Sequence, residues 1–220
     1  KDTTIIDKEG KPEVVYHGRV QDYDSFDTSG KMSTGKELGT HFGTKEQTDV
    51  FTSKEGGNVV PVYLNIKNPY QMIDSGSFNG EDIIEQLVED GLVDSSYIDD
   101  LDLPIQELTI LAKKLLKEKG FDGISYINTR EGLSIKGKPI TSQKKIDELQ
   151  DYDLKTLIDT YGAKKSYIIL EPEQAKSVFN KGSWNSKDKR FNYAKGGNVE
   201  QMNKLLGDGG MMDDSGEQVN

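Results

Sequence analysis

The stretch EVVYHGR, residues 13–19, reads as a short apolar strand that ends in a His-Gly pair. The chain contains only two histidines, and His17 stands at this strand end beside Gly18. A glycine next to a polar side chain lets a ligand approach the backbone closely. The second histidine, His41, lies in a similar setting within GTHFGT, residues 39–44. Two such places predict a cleft lined by backbone amides; two histidines beside ordinary turns are the plainer alternative.

Composition excludes several classes of protein. The 220 residues suffice for one domain with a sizeable core and a tail. The net charge of -10 argues against general attraction to nucleic acid or to anionic membranes. No apolar run approaches the roughly 20 residues of a membrane span. The absence of cysteine excludes disulfides and a thiol nucleophile, and no HxH or HExxH spacing occurs, so we expect no metal.

Hydrophobic patterning predicts short strands interleaved with helices, which indicates an α+β fold with helices packed outside a small, split antiparallel sheet. A hairpin is expected from Thr4–Ile6 and Val14–His17, and a mobile loop over 28–37. The chain starts without Met, and we expect it to be a piece of a longer protein, with one domain over 1–194 and a disordered Gly- and Asp-rich tail over 195–220. Further strands are predicted at 58–69, 123–128 and 166–170, and helices at 45–54, 81–90, 103–120 and 146–158.

Six stretches, taken in order, resemble the ADP-ribosyltransferase-like domains embedded in phage and prophage polyproteins. They are VVYHG (14–18), DYDSFD (22–27), LGTHFGTKEQ (38–47), VYLNIKNP (62–69), GFDGISYIN (120–128) and SYIILEPEQAKSVFNKGSWN (166–185). Together they cover most of residues 1–194. The resemblance implies the split antiparallel sheet of that family, with peripheral helices. It also implies the family's reaction, the transfer of ADP-ribose from NAD to a protein side chain with release of nicotinamide.

The chain also resembles, more faintly, the diphtheria-toxin-like branch of these enzymes. That branch uses a His on the first strand, a Tyr in a Gly-x-Tyr-Phe stretch, and a Glu just before a Tyr-Ile-Val-Tyr-like strand. His17 matches the first position, so the resemblance implies that His17 and the backbone of Gly18 hold the ribose and the nicotinamide of NAD. His41 stands where the Tyr is expected, and Phe42 follows it. The resemblance therefore assigns His41 to the catalytic residues and Phe42 to the NAD site.

The third position departs from the pattern, because Ser166 occupies the place of the catalytic Glu. A hydroxyl cannot supply negative charge beside a forming oxocarbenium ion. Glu131, which follows the strand 123–128, is our candidate for the carboxylate, and a solvated loop carboxylate is the alternative. Ser166 stays assigned to the NAD site. Arg19 is a candidate partner for the NAD pyrophosphate, or else an ordinary surface charge.

Three functions remain open. The first is an NAD-dependent mono-ADP-ribosyltransferase that uses NAD as co-substrate and modifies a host protein, in the host bacterial cytoplasm or in a phage virion. The second is a catalytically inactive module of the same fold that binds a nucleotide or a partner, and Ser166 favours it. The third is a structural domain among neighbouring polyprotein domains. We expect neither a membrane nor a nucleic acid partner. Hydrolysis of NAD without transfer is a further alternative.

Overall fold

The structure, a computed structural model, describes residues 3–20, 23–28, 38–55, 57–180 and 187–191. The loop predicted over 28–37 lies, except for Thr28, outside these ranges, as does the tail predicted over 195–220. Within the described ranges, no helix combines the length and the apolar character that crossing a membrane requires.

The described residues form two main sheets. The first contains β1 (Val15–Arg19), β3 (Asn58–Leu64) and β9 (Ala175–Ser177), in that order. The second has the order β2 (Thr40–Phe42), β8 (Lys164–Ile169), β5 (Gly123–Asn128) and β4 (Pro69–Gln71). All neighbours are antiparallel except β4 and β5, which run parallel. The fold is therefore α+β, with the split and mainly antiparallel sheet that the sequence predicts.

Helices pack outside these sheets. Five α-helices are found in the described ranges: α1 (Lys45–Glu55), α2 (Gly80–Glu89), α3 (Ile105–Glu118), α4 (Gln143–Leu149) and α5 (Leu154–Tyr161). Two 3₁₀ helices cover Ser95–Asp102 and Pro172–Gln174, and a small hairpin pairs β6 (Ser134–Ile135) with β7 (Lys138–Pro139). The β6–β7 hairpin, α4 and α5 all belong to the segment between β5 and β8.

The N-terminal hairpin predicted from Thr4–Ile6 and Val14–His17 is found only in part, because the second strand is present as β1 but the first is not a strand. One bridge, between Ile6 and Pro12, and a hydrogen bond from the N–H of Glu13 to the carbonyl of Ile5, at 3.1 Å, close the turn before β1. The N–H and the hydroxyl of Thr4 instead donate to the carbonyl of Ile66, at 2.8 and 3.0 Å. Strand β1 pairs along its whole length with β3. The first apolar run is therefore tied to the end of β3 and is not a strand of its own.

The single helix predicted over 146–158 is also wrong, because the structure has two helices there. The chain turns after α4, and Asp153 begins α5 as its N-cap. The Asp153 carboxylate accepts a hydrogen bond from the N–H of Thr156 at 3.0 Å, which satisfies a backbone donor that a continuous helix would bond internally. The short strands β4 and β9 were not predicted either.

Strand β8 separates two apolar cores, because successive side chains of a strand point to opposite faces. Ile168 is fully buried on one face, in a core that includes Leu87 of α2 and Leu116 of α3. Tyr167 and Ile169 point to the other face and pack with side chains of the first sheet. The second sheet is thus covered by helices on one side and by the first sheet on the other.

Helices α2 and α3 are in close contact at Gly80, the first residue of α2. A Cβ atom built on Gly80 would overlap the backbone of Leu108 and Thr109 in α3. Backbone atoms inside a helix cannot move without displacing the whole helix. The absence of a side chain at Gly80 therefore sets the spacing of the helix pair that covers the second sheet.

We expect Gly80→Ala to lower the free energy of unfolding by about 1–3 kcal/mol, the usual cost of overpacking a core. The added methyl group can be accommodated only if α3 shifts. Urea denaturation followed by circular dichroism measures the change. Ile110→Ala, on the solvent-facing side of α3 with 62 % of its surface exposed, is the control and should stay within about 0.5 kcal/mol of the wild type. Unchanged stability of the Gly80→Ala chain would contradict the close contact.

Candidate active site

A cleft of about 600 Å³ opens between the two main sheets. Its volume lies within the roughly 300–1,000 Å³ of typical small-molecule sites. All seven residues assigned from the sequence line it, although they come from four separate segments of the chain: His17, Gly18, Arg19, His41, Phe42, Glu131 and Ser166.

The two sheets are joined at one point beside the cleft. The N–H of Tyr16 donates to the carbonyl of Gly43 at 2.8 Å, and the N–H of Gly43 donates back at 3.0 Å. An antiparallel ladder would continue with a second reciprocal pair, between Gly18 and His41. The structure has a side-chain bond there instead, since Nδ1 of His17 lies 2.8 Å from the carbonyl oxygen of His41. The imidazole therefore ends the ladder and lets the sheets diverge.

The backbone of Gly18 faces the opening between the sheets. Backbone groups of successive strand residues point alternately to the two edges of a strand. The N–H and C=O of Tyr16 point away from β3, toward Gly43, so those of Gly18, two residues later, point the same way. The register agrees, because Tyr16 lies opposite Pro61, which has no N–H to donate. The backbone of Gly18 is thus presented at the edge where the cleft opens.

Three rings form one wall of the cleft. The His41 ring lies 5.2 Å from that of Phe78 and 6.2 Å from that of Tyr126, centroid to centroid, and Nδ1 of His41 is 3.2 Å from the Tyr126 hydroxyl. Phe78 and Tyr126 are 4.2 Å apart. Phe78 has a φ of 68°, which bulky residues rarely adopt and which is typical of strain kept at functional sites. The wall offers flat apolar surface with polar edges.

Phe42 has a different environment from its neighbour His41. Adjacent strand residues face opposite sides, and the Phe42 ring is only 2 % exposed. It packs against Phe26 at 5.0 Å and against the His17 ring at 5.4 Å. Of the two rings that the sequence offers for contact with nicotinamide, that of His41 therefore shares its wall with other cleft aromatics, while that of Phe42 supports His17 from the core.

Burial keeps both histidines neutral at physiological pH. It lowers the pKa of His17 to about 4; the bond to the His41 carbonyl opposes this lowering, and the positive charge of Arg19 adds to it. Burial likewise lowers the pKa of His41 to about 4, assisted by His17. Because a carbonyl oxygen only accepts, the neutral His17 carries its proton on Nδ1. Its Nε2 atom is therefore a hydrogen-bond acceptor.

The Glu131 carboxylate lies next to the place of Ser166. Strands β5 and β8 are neighbours, and Tyr126 pairs with Ser166. The side-chain amide of Asn128 donates to Glu131 at 3.0 Å and lies 3.5 Å from the Ser166 hydroxyl. Ser166 is 2 % exposed and donates to Gln47 at 3.3 Å, whereas Glu131 is exposed at the cleft surface. Asn128 thus lies between the Glu131 carboxylate and Ser166, which stands where the sequence pattern expects a glutamate.

The turn that carries Glu131 is fixed by hydrogen bonds from several elements. The Asn128 side chain accepts from the N–H of Glu131 at 2.8 Å. Thr129, in the middle of the turn, donates its N–H to Asp74 at 2.7 Å. The side-chain amide of Gln150, just after α4, donates to the Thr129 carbonyl at 3.0 Å and accepts from its hydroxyl at 3.1 Å. The segment between β5 and β8 therefore takes part in holding the carboxylate in place.

Arg19 lines the cleft but is engaged with two aromatic residues that lie outside the sheets, Tyr23 and Phe191. Its Nη1 donates to the carbonyl of Tyr23 at 3.1 Å. The guanidinium carbon lies 5.4 Å from the centre of the Tyr23 ring and 5.7 Å from that of Phe191, in cation–π geometry. Arg19 is therefore a charge held in place at the cleft by these aromatic contacts.

Sequence reasoning missed other residues that line the cleft, among them Gln47, Phe78, Tyr126, Asn128 and Arg130. The polar strand end in YINTRE, 126–131, was the available signal for three of them. The acidic and histidine side chains in the described ranges form no group of three or more that could hold a metal ion.

Comparison with known proteins gives one family. A model of the family described as ADP-ribosyltransferase in polyvalent proteins matches residues 7–185, which include every residue assigned to the cleft from the sequence. A search of curated proteins and a search of solved structures each found no match. The resemblance stated from the six stretches is confirmed by this match.

We expect the two histidines to make stability depend on pH. Each binds a proton near pH 6.5 in the unfolded chain but only near pH 4 in the folded chain. The unfolded state binds more protons between these values, so the free energy of unfolding is greatest above pH 6.5 and falls as the pH drops toward 4. Urea denaturation should give a value roughly 2–4 kcal/mol lower at pH 5 than at pH 7.

The matched control is the double variant H17Q/H41Q, which lacks the chain's only two imidazoles. Carboxylates that titrate in the same pH range change the free energy of unfolding equally in the wild type and in the double variant. The double variant should therefore lose most of the change between pH 7 and pH 5. An equal change in the two proteins would contradict the lowered pKa values.

Proposed function

The chain belongs to the family of ADP-ribosyltransferases in polyvalent proteins, and from this we propose that it transfers ADP-ribose from NAD to a side chain of a host protein, with release of nicotinamide. The observation that carries the proposal is that His17, His41 and Glu131 line one cleft, although separate segments supply them. The resemblance to phage and prophage polyproteins further supports action in the host bacterial cytoplasm or in a phage virion, beside neighbouring polyprotein domains.

The nicotinamide end of NAD is bound by the backbone of Gly18 and the ring wall. The N–H and C=O of Gly18 face the opening, and a carboxamide offers the complementary acceptor and donor. The rings of His41, Phe78 and Tyr126 supply flat surface for the pyridinium. Because burial keeps His41 neutral, its ring does not repel the positive charge of that pyridinium. Both contacts orient the leaving group, which is a proximity effect.

The ribose is held by His17. Its Nε2 accepts a hydrogen bond from a ribose hydroxyl. The neutral ring carries its proton on Nδ1, which donates a hydrogen bond to the His41 carbonyl. The ring cannot turn away without losing that bond, and Phe26 and Phe42 pack against it at 5.3 and 5.4 Å. The sugar is therefore positioned by a side chain that is already fixed before NAD arrives.

Glu131 supplies the negative charge that the reaction needs. The bond between the ribose anomeric carbon and the nicotinamide nitrogen breaks, and its electron pair leaves with nicotinamide. Positive charge then develops on the ribose, as in glycoside hydrolysis, and a carboxylate held near it lowers the barrier. The Asn128 amide orients the Glu131 carboxylate. An acceptor side chain completes the transfer by attacking the carbon and losing its proton, whereas attack by water gives hydrolysis.

Ser166 supports a second candidate function. It occupies the place of the family's glutamate, and it is buried between Gln47 and Asn128, with no negative charge. A domain in which Glu131 does not act would bind a nucleotide or a partner without turnover, or serve as a structural domain of a polyprotein. Catalytic measurements on Glu131 therefore separate the two candidates.

We expect the purified protein to release nicotinamide from NAD, with Glu131→Gln lowering kcat about a hundredfold or more because the fixed charge is lost. His17→Ala should lower kcat/KM and raise KM, since it removes a contact with the ribose. Nicotinamide is quantified by chromatography, with and without a bacterial lysate as the source of acceptors.

Glu148→Gln is the control for the loss of a carboxylate. Glu148 lies on α4, is not among the residues that line the cleft, and pairs with Lys145 at 3.0 Å in an exposed ion pair. It should leave nicotinamide release unchanged. If the wild-type protein releases no nicotinamide under either condition, the non-catalytic candidate remains. If the wild type releases nicotinamide but Glu131→Gln behaves as Glu148→Gln does, the protein is catalytic and the assignment of Glu131 is wrong.

A further inference from the structure

Arg130 has no charged or hydrogen-bonding partner for its guanidinium among the residues that the structure describes. Its Nε–H group is buried and donates to no acceptor there. The other two arginines of the chain are engaged. Arg190 pairs with Asp188 at 2.7 Å, and Arg19 donates to the carbonyl of Tyr23. A partly buried guanidinium without a counter-charge is unfavourable, so the arrangement favours binding of an anion.

The space around this guanidinium is provided by the backbone. Gly76 has a φ of +80°, and a Cβ atom built on it would lie 2.6 Å from the Arg130 guanidinium carbon and 2.9 Å from Nη2. Any other residue at this position would displace the guanidinium. Gly76 and Arg130 both line the cleft, and Arg130 directly precedes Glu131 on the same turn. The positive charge is therefore held on the wall that carries the catalytic carboxylate.

Two carboxylates of the same cleft are bound to other groups. One oxygen of Asp74 accepts from the N–H of Gly76 at 3.0 Å, and the other accepts from the N–H of Thr129 at 2.7 Å. The Glu131 carboxylate accepts from Asn128 at 3.0 Å. Neither makes an ion pair with Arg130 in the described ranges. The guanidinium of Arg130 is therefore available to bind an anionic group of a ligand.

We propose that Arg130 binds an oxyanion of a substrate, either the pyrophosphate of NAD or the carboxylate of an acidic acceptor side chain. Both present two oxygens at the spacing that the guanidinium fork matches. The inference rests on the proposed function, because it sets the anion close to the carbon on which Glu131 acts. It deepens that function by giving the chemical class of the group that this wall recognises.

Binding of ADP-ribose tests the pyrophosphate arm without requiring turnover. Isothermal titration calorimetry is carried out on the wild type, R130Q, R130K and R190Q. If the ligand is the pyrophosphate, R130Q should bind ADP-ribose about tenfold or more weakly, and R130K should be intermediate because it keeps the charge but loses the fork. R190Q removes the same charge outside the cleft and should bind as the wild type does. Circular dichroism melting checks that each variant is folded.

Transfer to peptides tests the carboxylate arm. Nicotinamide release and ADP-ribose transfer from NAD are compared on poly-glutamate and poly-glutamine peptides. If the ligand is an acceptor carboxylate, R130Q should bind ADP-ribose normally and keep nicotinamide release, but lose transfer to poly-glutamate by about tenfold or more. Gly76→Ala, which displaces the guanidinium, should reproduce the effect of R130Q in either arm.

The outcomes separate this inference from the proposed function. If the wild type binds ADP-ribose and releases nicotinamide, but R130Q matches it in ADP-ribose affinity and in transfer, the role of Arg130 is overturned and the proposed function stands. If the wild type neither binds ADP-ribose nor releases nicotinamide, both fall together.

Discussion

The cleft depends on one hydrogen bond, from Nδ1 of His17 to the carbonyl of His41. It replaces the backbone pair that would otherwise follow the reciprocal bonds of Tyr16 and Gly43. If the ladder continued, the two main sheets would merge into one, and the N–H and C=O of Gly18 would be hydrogen-bonded within that sheet. With the imidazole in that place, the His41 carbonyl is satisfied, the sheets part, and Gly18 faces the opening. One side chain thus separates the sheets and leaves its second nitrogen as an acceptor.

The proposed reaction also needs a carboxylate, and Ser166, in the place of the family's glutamate, does not supply one. The usual position lies in the middle of the second sheet, where the Ser166 side chain is buried and bonded to Gln47. The carboxylate of Glu131 comes from the turn after the neighbouring strand, and Asn128 joins the two positions. A charge on a turn is more mobile than one on a central strand. The bonds of Thr129 to neighbouring elements compensate for this by fixing the turn.

The longer strands and helices, whose apolar residues form a recognisable pattern, could be predicted from the sequence. The short strands could not. Strands β5 and β8 are rich in isoleucine and tyrosine, and α3 carries a regular apolar stripe, so each could be predicted from its local sequence. Strands β4 and β9 have three residues each and exist only because longer strands pair with them. The histidines were visible because they are rare and adjoin glycines. Asn128 and Arg130 were missed because their significance arises from Ser166 and Gly76, which are distant in sequence and meet them only in the folded chain.

The cleft combines two neutral histidines with two neighbouring charges of opposite sign, those of Arg130 and Glu131. Burial makes both histidines neutral, so in the proposed reaction they would hold NAD by hydrogen bonding and contact without opposing the positive charge that develops on the ribose. Arg130, one residue before Glu131, would oppose it. At an effective dielectric of about 20, a cation about 5 Å away acts with roughly 3 kcal/mol, comparable to what one carboxylate contributes. An oxyanion bound to Arg130 cancels that repulsion. The substrate's own negative charge would then complete the electrostatics that Glu131 begins, and the wall would favour reaction only when an acidic group is in place.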